Sequence, residues 1–389
     1  MSSDEDNNEH TVVLDNGSST LRAGFAGSDK PLIVFPSCIG SDKHRVRMLG
    51  VGACSEIGSE SQINRGIMAI NYPIKRGKIT DYDAMEKIWA HTFYSELKID
   101  TLVTPVVTTH PINVSRQQVE KTSQIMFETF EMPSMFTQSS VMSTMYSSGR
   151  TTGVVVESGG GITQIVPFYE GFMLKEGAVY IDLGGADITE KLSKDLNSRG
   201  GTRFMSSSDQ EIVREIKEKI CYVAENYDNE KMYAPKTITK EYELPGYTTI
   251  NVSSERFEAP EIMFQPHLAG MTCSSIQEAT YTAIMKCNMD VRKDLWRNIV
   301  LSGSNTLMPG FVDRFKTELM ALAPKKLQET PGELRICANE ERACSVWIGT
   351  SIIGSLTNFA GAWTTKQFYD ENGPSRSVMG YNYVSSTHS

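Results

Sequence analysis

Two stretches of this 389-residue chain repeat one design, and the repetition limits the folds open to it. In the first, an apolar run ends at Asp15, and a turn rich in Gly and Ser leads into a second run that contains Arg22. The second lies about 140 residues later and has a β-branched run, Glu157, a Ser-Gly-Gly-Gly turn and another β-branched run. Each pattern predicts strand, tight turn and strand, with an acidic residue at the end of the first strand. The pair indicates two related half-domains, a duplication of long period.

The composition of the two turns predicts a phosphate clamp. Backbone N–H groups in a Gly-rich turn can converge on an anion, and Ser18, Ser19 and Thr20 add hydroxyl donors. Asp15 cannot bind phosphate directly, but it can hold a hydrated magnesium ion that binds phosphate oxygens. Facing turns with an acid on either side would then hold a polyphosphate between them. The alternative is two unrelated hairpins, since Asn-Gly and Gly-Gly-Gly turns often only reverse a chain.

Composition and charge exclude several classes of protein. The chain is 40% hydrophobic and 22% charged, which is typical of a soluble globular protein, and its length suits two domains. A net charge of −9 argues against a general nucleic-acid binder and leaves room for basic partners. The acidic first ten residues and the lack of long apolar runs predict no targeting signal and no membrane insertion. Seven Cys without CxxC and six His without HxxxH predict reduced thiols and no zinc site.

Strand-like and helix-like segments alternate along the chain, which predicts an α/β fold with largely parallel central sheets. Helices are predicted over Asp83–Leu97, after an N-cap at Ser115, over Ser134–Ser148 and over Asp209–Asn226. Ligands of such folds lie at the carboxyl ends of strands. Asp15, Glu157 and the pair Ser302–Gly303 fall at such ends.

The chain resembles the actin family from about Val12 to its C-terminus. Phrases that carry the resemblance are Leu14-Asp-Asn-Gly-Ser, Met85-Glu-Lys-Ile-Trp, Ser148-Gly-Arg-Thr-Thr-Gly and Ser345-Val-Trp-Ile-Gly. The resemblance implies an actin-like ATPase fold of duplicated ribonuclease H-like domains, with four subdomains around a nucleotide cleft. It places subdomain 1 at 1–36, 73–147 and 345–389, subdomain 2 at 37–72, subdomain 3 at 148–183 and 272–344, and subdomain 4 at 184–271.

The resemblance also implies ATP or ADP as ligand, with Mg²⁺ or Ca²⁺. Matched residue by residue, it assigns nucleotide binding to Gly17, Ser18, Ser19, Arg22, Ser158, Gly159, Gly160, Gly161, Gly185, Arg214, Lys217, Glu218, Gly303, Ser304 and Asn305. It assigns the hydrolysis site to Asp15, Ser140, Glu157 and Gln164, and the metal to Asp15 and Glu157.

The phosphate turns depart from the family pattern. Ser19 replaces a Gly where backbone must approach phosphate, and Arg22 replaces a Lys with a wider fork. Glu157 is one methylene longer than the family's Asp, and Gly160 stands where a second acid is expected.

The hydrolysis and base-binding positions are altered as well. Ser140 aligns with the Gln that orients the attacking water, and Gln164 aligns with a family His. In-line attack requires water placed to within about an ångström, so these changes predict slow hydrolysis, with losses on the order of 100-fold. Ser304 replaces a Gly, and Ala343 replaces a Lys that would cover the adenine.

The surfaces that the family uses for polymerisation match the family pattern at some positions and depart from it at others. The loop tip of subdomain 2 is Arg47, Met48 and Leu49, so one apolar residue has become charged, and burying it unpaired would be costly. Its facing surface is predicted to include Tyr146, Gly171 and Phe172. The remaining surface predictions are Leu268 and Met271 in the hinge loop 265–271, Tyr146, Ile353 and Leu356 in the barbed-end groove, and the departures Asn358 and Ala362.

Two functions follow from the resemblance. The first is a divergent, ATP-binding cytoskeletal protein of the cytoplasm that forms or joins filaments, with actin subunits and barbed-end-groove proteins as partners. The alternative is an actin-related subunit of a multiprotein complex, either a non-polymerising one in nuclear chromatin remodelling or a dynactin-type centractin filament. In either case the altered site can also be one that has decayed while the fold survives.

Overall fold

The computed structural model describes residues 11–42, 55–200, 203–233, 238–246, 248–356 and 362–377. Arg47, Met48, Leu49, Asn358, the acidic first ten residues and the tail beyond residue 377 lie outside the described residues.

The chain alternates strands and helices. The strands are β1 Val12–Asn16, β2 Thr20–Phe25, β3 Ile33–Pro36, β4 Ile39–Asp42, β5 Ser55–Ile57, β6 Met68–Asn71, β7 Ile74–Lys75, β8 Lys78–Ile79, β9 Val106–His110, β10 Ser134–Ser139, β11 Gly153–Ser158, β12 Thr163–Tyr169, β13 Phe172–Met173, β14 Val179–Ile181, β15 Lys240–Leu244, β16 Thr248–Val252, β17 Ile299–Ser302, β18 Ile336–Cys337 and β19 Thr364–Thr365. The α-helices are α1 Ser59–Ile63, α2 Tyr82–Ala90, α3 Arg116–Glu128, α4 Ser140–Ser147, α5 Gly185–Ser198, α6 Ser207–Ile220, α7 Tyr227–Tyr233, α8 Glu255–Glu258, α9 Ile276–Lys286, α10 Met289–Trp296, α11 Phe311–Leu322, α12 Lys325–Glu329, α13 Ser345–Gly354 and α14 Lys366–Ser377.

Two large sheets have the same design, which confirms the predicted duplication. The first has the order β19-β10-β9-β1-β2-β3, and the second β13-β12-β11-β17-β18, with β14 also paired to β12. In the first, β1 runs antiparallel to β2 and parallel to β9. In the second, β11 runs antiparallel to β12 and parallel to β17. The prediction of largely parallel sheets is therefore wrong, because each Gly/Ser turn folds the chain straight back into an antiparallel neighbour.

The register places equivalent residues at equivalent points of the two sheets. Asp15 lies opposite Arg22 across the first hairpin, and Glu157 lies opposite Gln164 across the second. On its parallel side Glu157 pairs with Ser302 of β17. The duplication thus places one acidic residue in each half near the carboxyl end of a strand, just before the turn into its antiparallel neighbour.

The prediction of one helix over Ser134–Ser148 is wrong for its first half. Residues 134–139 form β10, which pairs in parallel with β9, and only Ser140–Ser147 are helical. An uncharged run rich in Ser, Thr and Met has no clear helical or strand period, so the neighbouring strand decides its structure. Helix α6 also ends earlier than predicted, at Ile220, because the next N–H groups bond elsewhere: Tyr222 N donates to Arg256 O and Val223 N to Pro309 O.

Two other helix predictions are confirmed. The predicted Asp83–Leu97 helix is α2 followed directly by a π-helix over His91–Glu96. Ser115 caps α3 in a capping box with Gln118, which satisfies N–H groups at the start of the helix.

Each half has its own hydrophobic core. Val12, Leu14, Trp89 and Phe127 belong to the core of the first half, and a larger core fills the second. The chain passes between the halves near α4 and α13. These two helices pack with their backbones in contact. A methyl group at Gly349 would lie 1.7 Å from Ser143 O, so only glycine permits this approach.

A smaller unit, the three-stranded sheet β5-β4-β6 with α1, follows the first hairpin in the chain. The subdomain boundaries given above stay predictions. Among the described residues, the helices are too short or too polar to cross a lipid bilayer.

Candidate functional site

Both Gly/Ser turns line a cleft of about 950 Å³, open solvent included. Both turns, the carboxyl end of β17, the start of α5 and one face of α6 form its walls. The predicted site residues that line it are Asp15, Gly17, Ser18, Ser19, Arg22, Ser140, Glu157, Gly159, Gly160, Gly161, Gly185, Arg214, Lys217, Glu218, Gly303, Ser304 and Asn305. The fold therefore brings residues from distant parts of the chain to one cleft.

Two predicted residues lie behind this wall. Ser158 is fully buried, where its hydroxyl bonds Thr163 Oγ1 at 2.8 Å and accepts from Asn305 Nδ2 at 3.1 Å. Gln164 is also fully buried and contacts the cleft only through its neighbours Glu157 and Ser140. Both side chains support the cleft rather than line it.

Asp15 is held on both carboxylate oxygens. Thr109 Oγ1 donates to Oδ1 at 2.7 Å, and Arg22 Nη1 donates to Oδ2 at 3.3 Å. Thr109 and its neighbour His110 line the cleft without having been predicted, because they come from β9, and only the parallel pairing with β1 places them there. Burial lowers the pKa of His110 to about 4, so this imidazole is neutral at physiological pH.

Glu157 lies in a cage of neutral donors. Gln164 Nε2 and Ser140 Oγ donate to Oε1 at 2.8 and 3.1 Å, and Thr144 Oγ1 donates to Oε2 at 3.3 Å. Burial, together with the negative charge of Asp15, raises the pKa of Glu157 to about 7 against the lowering effect of the three donors. The carboxyl group is thus poised between its two protonation states near neutral pH.

The far side of the cleft carries a buried cation. Lys217 of α6 donates to Gly185 O at 2.9 Å, and burial lowers its pKa to about 8. Beside it, Arg214 bonds Glu211 at 2.9 Å and lies 3.5 Å from Glu218. These groups place positive charge opposite the two acidic strand ends.

Gly303 shows why the wall between β11 and β17 needs glycine. Its φ is 87°, and a methyl group there would lie 2.1 Å from Ser158 O. Asn305, two residues on, donates to Gly159 O at 2.7 Å and so fixes the second turn.

The two walls of the cleft are joined by direct contacts. Arg76, beside the first turn, donates through Nη2 to Asp187 Oδ1 of α5 at 2.6 Å and through Nη1 to Gly161 O at 3.3 Å. Asp187 in turn accepts from Gly184 N at 2.7 Å. This ion pair therefore connects the first half to the second turn and to the start of α5.

The smaller sheet unit contacts helix α6, which forms one wall of the cleft. Glu211 of α6 accepts from Gln62 Nε2 at 2.8 Å and from Tyr72 OH at 3.0 Å. Ile70 N donates to Ser207 Oγ at 3.1 Å, and Arg65 forms an ion pair with Glu215.

Comparison with protein families decides the relationship. A family model described as Actin matches residues 6–380 of the chain. The chain belongs to the actin family. The actin-like α/β fold implied by the sequence is confirmed, and members of this family generally bind ATP or ADP with a divalent cation.

The acidic residues of this actin-family cleft fit such a cation. No cluster of three or more His, Cys, Asp or Glu able to hold a metal occurs within the described parts of the chain. Mg²⁺ does not need one, because it keeps several waters and takes one or two carboxylates together with phosphate oxygens. Asp15 and Glu157 supply two carboxyl groups, and the charge of Asp15 opposes ionisation of Glu157, which a cation between them would relieve.

One predicted surface residue of this actin-family protein is misplaced. Ile353 was predicted to line the barbed-end groove, but it is fully buried, and its neighbour Ile352 is exposed instead. One residue turns an α-helix by about 100°, so an error of one position reverses the face. Tyr146, Leu356 and Phe172 are exposed as predicted, whereas Leu268 and Met271 pack against the core of the second half.

Proposed function

We propose that this actin-family protein binds ATP or ADP with Mg²⁺ or Ca²⁺ in the cleft and forms or joins cytoskeletal filaments. One observation carries the proposal: two Gly/Ser turns, each after an acidic strand end, line one cleft together with Lys217 and Arg214. Phosphate would meet turn N–H groups and hydroxyls, and the acidic side chains would hold the cation. Lys217 and Arg214 would balance the remaining negative charge.

Titration of the purified chain with ATP and ADP, with and without Mg²⁺, tests the binding step. We expect saturable binding of both nucleotides, tighter with Mg²⁺, and weaker binding by Lys217→Met. The matched control is Lys194→Met, on an exposed face of α5. Wild-type protein that binds neither nucleotide in either buffer would mean that the site has decayed.

Slow hydrolysis is part of the proposal, because the amide nearest the acidic pair is already engaged. Gln164 Nε2 donates to Ser140 Oγ at 2.7 Å and to Glu157, and Gln164 Oε1 accepts from Ile112 N at 3.0 Å. Ser140 Oγ itself donates to Glu157. Ser140 has no carboxamide and that of Gln164 is engaged, so neither side chain offers one for orienting water in the cleft.

Ser140→Gln is expected to raise the rate of phosphate release, because it supplies a carboxamide that can reach into the cleft from the start of α4. The gain can approach the order of 100-fold that misplaced reactants cost. Ser140→Ala, which adds no amide, is the control and should not exceed the wild type. A wild-type rate equal to that of ordinary actin would refute slow hydrolysis.

Arg76→Met is expected to speed release of a bound fluorescent ATP analogue about tenfold, which corresponds to about 1.4 kcal/mol. The variant removes the ion pair with buried Asp187 and the bond to Gly161 O, so the two walls separate more easily. Displacement by excess unlabelled ATP gives the rate. Lys366→Met is the control, since its partner Asp370 lies on the same helix and away from the cleft. Equal release rates in wild type and Arg76→Met would contradict a role in closure.

Filament formation is supported by the exposed apolar side chains Tyr146, Phe172, Ile352 and Leu356. Sedimentation with Mg²⁺ and ATP, alone and with ordinary actin, separates the alternatives. We expect the chain to pellet in at least one condition. A soluble chain in both conditions would favour the non-polymerising subunit of a nuclear complex, and filaments from the chain alone leave the dynactin-type role open. Cytoplasmic and cytoskeletal location belongs to the same proposal, with the nucleus as the alternative.

A further inference from the structure

The two turns touch each other through two Ser-on-Gly contacts. Ser18 and Ser19 of the first turn lie over Gly161 and Gly160 of the second. A methyl group at Gly161 would lie 2.6 Å from Ser18 Oγ, and one at Gly160 would lie 2.0 Å from Ser19 Oγ and 2.8 Å from Ser19 Cβ. Non-bonded heavy atoms prefer about 3.5–4.0 Å, so the second turn can carry no side chain where the first carries these serines.

The two serines differ in what their hydroxyls bind. Ser18 Oγ accepts from Gly77 N at 3.2 Å, so this contact holds the oxygen against the protein and leaves the O–H proton able to donate. Ser19 is anchored by its backbone, since its carbonyl accepts from Ser37 N at 3.0 Å. Its Oγ has no hydrogen-bond partner among the residues that the structure describes, and Ser19 lines the cleft.

We propose that Ser19 donates its hydroxyl to a phosphate oxygen of the bound nucleotide, and that Gly160 is the space this side chain requires. The proposal rests on nucleotide binding as proposed above. The anchored backbone holds Ser19 on the wall of the cleft, and its hydroxyl can donate to an anion that Asp15 and Glu157 would repel. The bulk that Ser19 adds to the first turn thus occupies the space that a side chain at position 160 would need.

Adenosine has no phosphate, so comparing its binding with that of ATP and ADP separates a contact of Ser19 with phosphate from the packing of Ser19 against Gly160. Ser19→Ala removes only the hydroxyl, and we expect it to weaken ATP and ADP binding about tenfold while leaving adenosine binding unchanged. Ser198→Ala is the matched control, because its hydroxyl lies on the exposed face of α5 and bonds only Asp195 O at 2.7 Å. Unchanged ATP affinity in Ser19→Ala would overturn the ligand role.

The steric pairing is tested by a cycle of Gly160→Ala, Ser19→Gly and the double variant. Gly160→Ala alone should lower the unfolding temperature, because its methyl group collides with Ser19. The double variant with Ser19→Gly should recover most of the lost unfolding temperature, although it also lacks the hydroxyl of Ser19. Equal unfolding temperatures for wild type and Gly160→Ala would overturn the pairing.

The binding experiment and the unfolding experiment together also distinguish this inference from the proposed function. The unfolding cycle needs no ligand, so it tests the pairing in the apo chain. If wild-type protein binds no ATP, the proposed function and the ligand role fail together, and the cycle still decides the pairing. If wild type binds ATP and Ser19→Ala binds it equally well, only the ligand role of Ser19 fails.

Discussion

The nucleotide-free protein is expected to lose about 3 kcal/mol of unfolding free energy between pH 4 and pH 8 through Glu157, and Glu157→Gln is expected to remove that loss. Burial, together with the charge of Asp15, raises the pKa of Glu157 from 4.5 to about 7. One pKa unit corresponds to about 1.4 kcal/mol, so this difference gives the expected size to order of magnitude.

The direction follows from proton binding in the two states. Between pH 4.5 and about 7 the folded chain keeps the proton on Glu157 while the unfolded chain releases it. Protonated Glu157 therefore stabilises the fold fully below pH 4.5, and this contribution disappears as the pH rises through about 7. The facing groups are Asp15, which is negative, and the neutral donors Gln164, Ser140 and Thr144, so the described contacts add no cation that would reverse the sign.

Urea unfolding at pH 5 and pH 8, in the presence of a metal chelator, measures the effect. The wild type should show a drop in unfolding free energy that exceeds that of Glu157→Gln. Glu190→Gln is the matched control, since the side chain of Glu190 is 64% exposed and its removal should leave the pH dependence unchanged. Identical pH dependence in wild type and Glu157→Gln would show that Glu157 ionises freely in the fold.

The paired hairpins explain how much of this site the sequence could predict. Asp15 and Glu157 were found because each ends a β-branched run before a Gly/Ser turn, a pattern that is local and needs no tertiary information. Cleft residues Thr109 and His110 could not be found that way. Their segment has no turn or motif, and only the parallel pairing of β9 with β1 brings them beside Asp15.

The errors have the same physical origin. The residues before Ser140 became β10 because β9 offered a partner strand, and a local period could not show this. Gln164, assigned to the hydrolysis site by resemblance, stays a prediction in that role, and only the register that pairs it with Glu157 shows that it lies behind the acid. Sequence patterns thus identify elements and strand ends, whereas the partner strand determines which side chains support the site and which line it.

Arg314→Met is expected to destabilise the protein by about 3–5 kcal/mol, the cost of leaving a buried charge without its partner. Arg314 Nη2 and Nη1 bond the two carboxylate oxygens of Glu261 at 2.7 and 3.2 Å, and Nη1 also donates to Ala224 O at 2.8 Å. The side chains are only 5% and 0% exposed. The guanidinium also lies 5.1 Å from the centre of the Phe264 ring.

A surface pair in the same half provides the control. Lys194 and Glu190 lie 2.7 Å apart with side chains 68% and 64% exposed, so Lys194→Met should change the unfolding free energy by less than about 1 kcal/mol. A value below about 1 kcal/mol for Arg314→Met as well would show that the Glu261 charge is not held by Arg314.

The double variant Arg314→Met with Glu261→Gln separates charge from packing. Burial already raises the pKa of Glu261, and Arg314 opposes that rise, so without Arg314 the carboxyl is driven further toward its protonated form. Arg314→Met should therefore lower the unfolding free energy more at pH 8 than at pH 5. At pH 8 the folded variant must either keep a proton on Glu261 or bury its negative charge, and this requirement adds to the loss. Glu261→Gln in the same chain removes that charge and should recover a large part of the loss and most of its pH dependence. Loss that persists unchanged in the double variant would instead belong to the contacts of Arg314 with Ala224, Phe264 and Glu318, whose carboxylate accepts from Arg314 Nε at 2.7 Å.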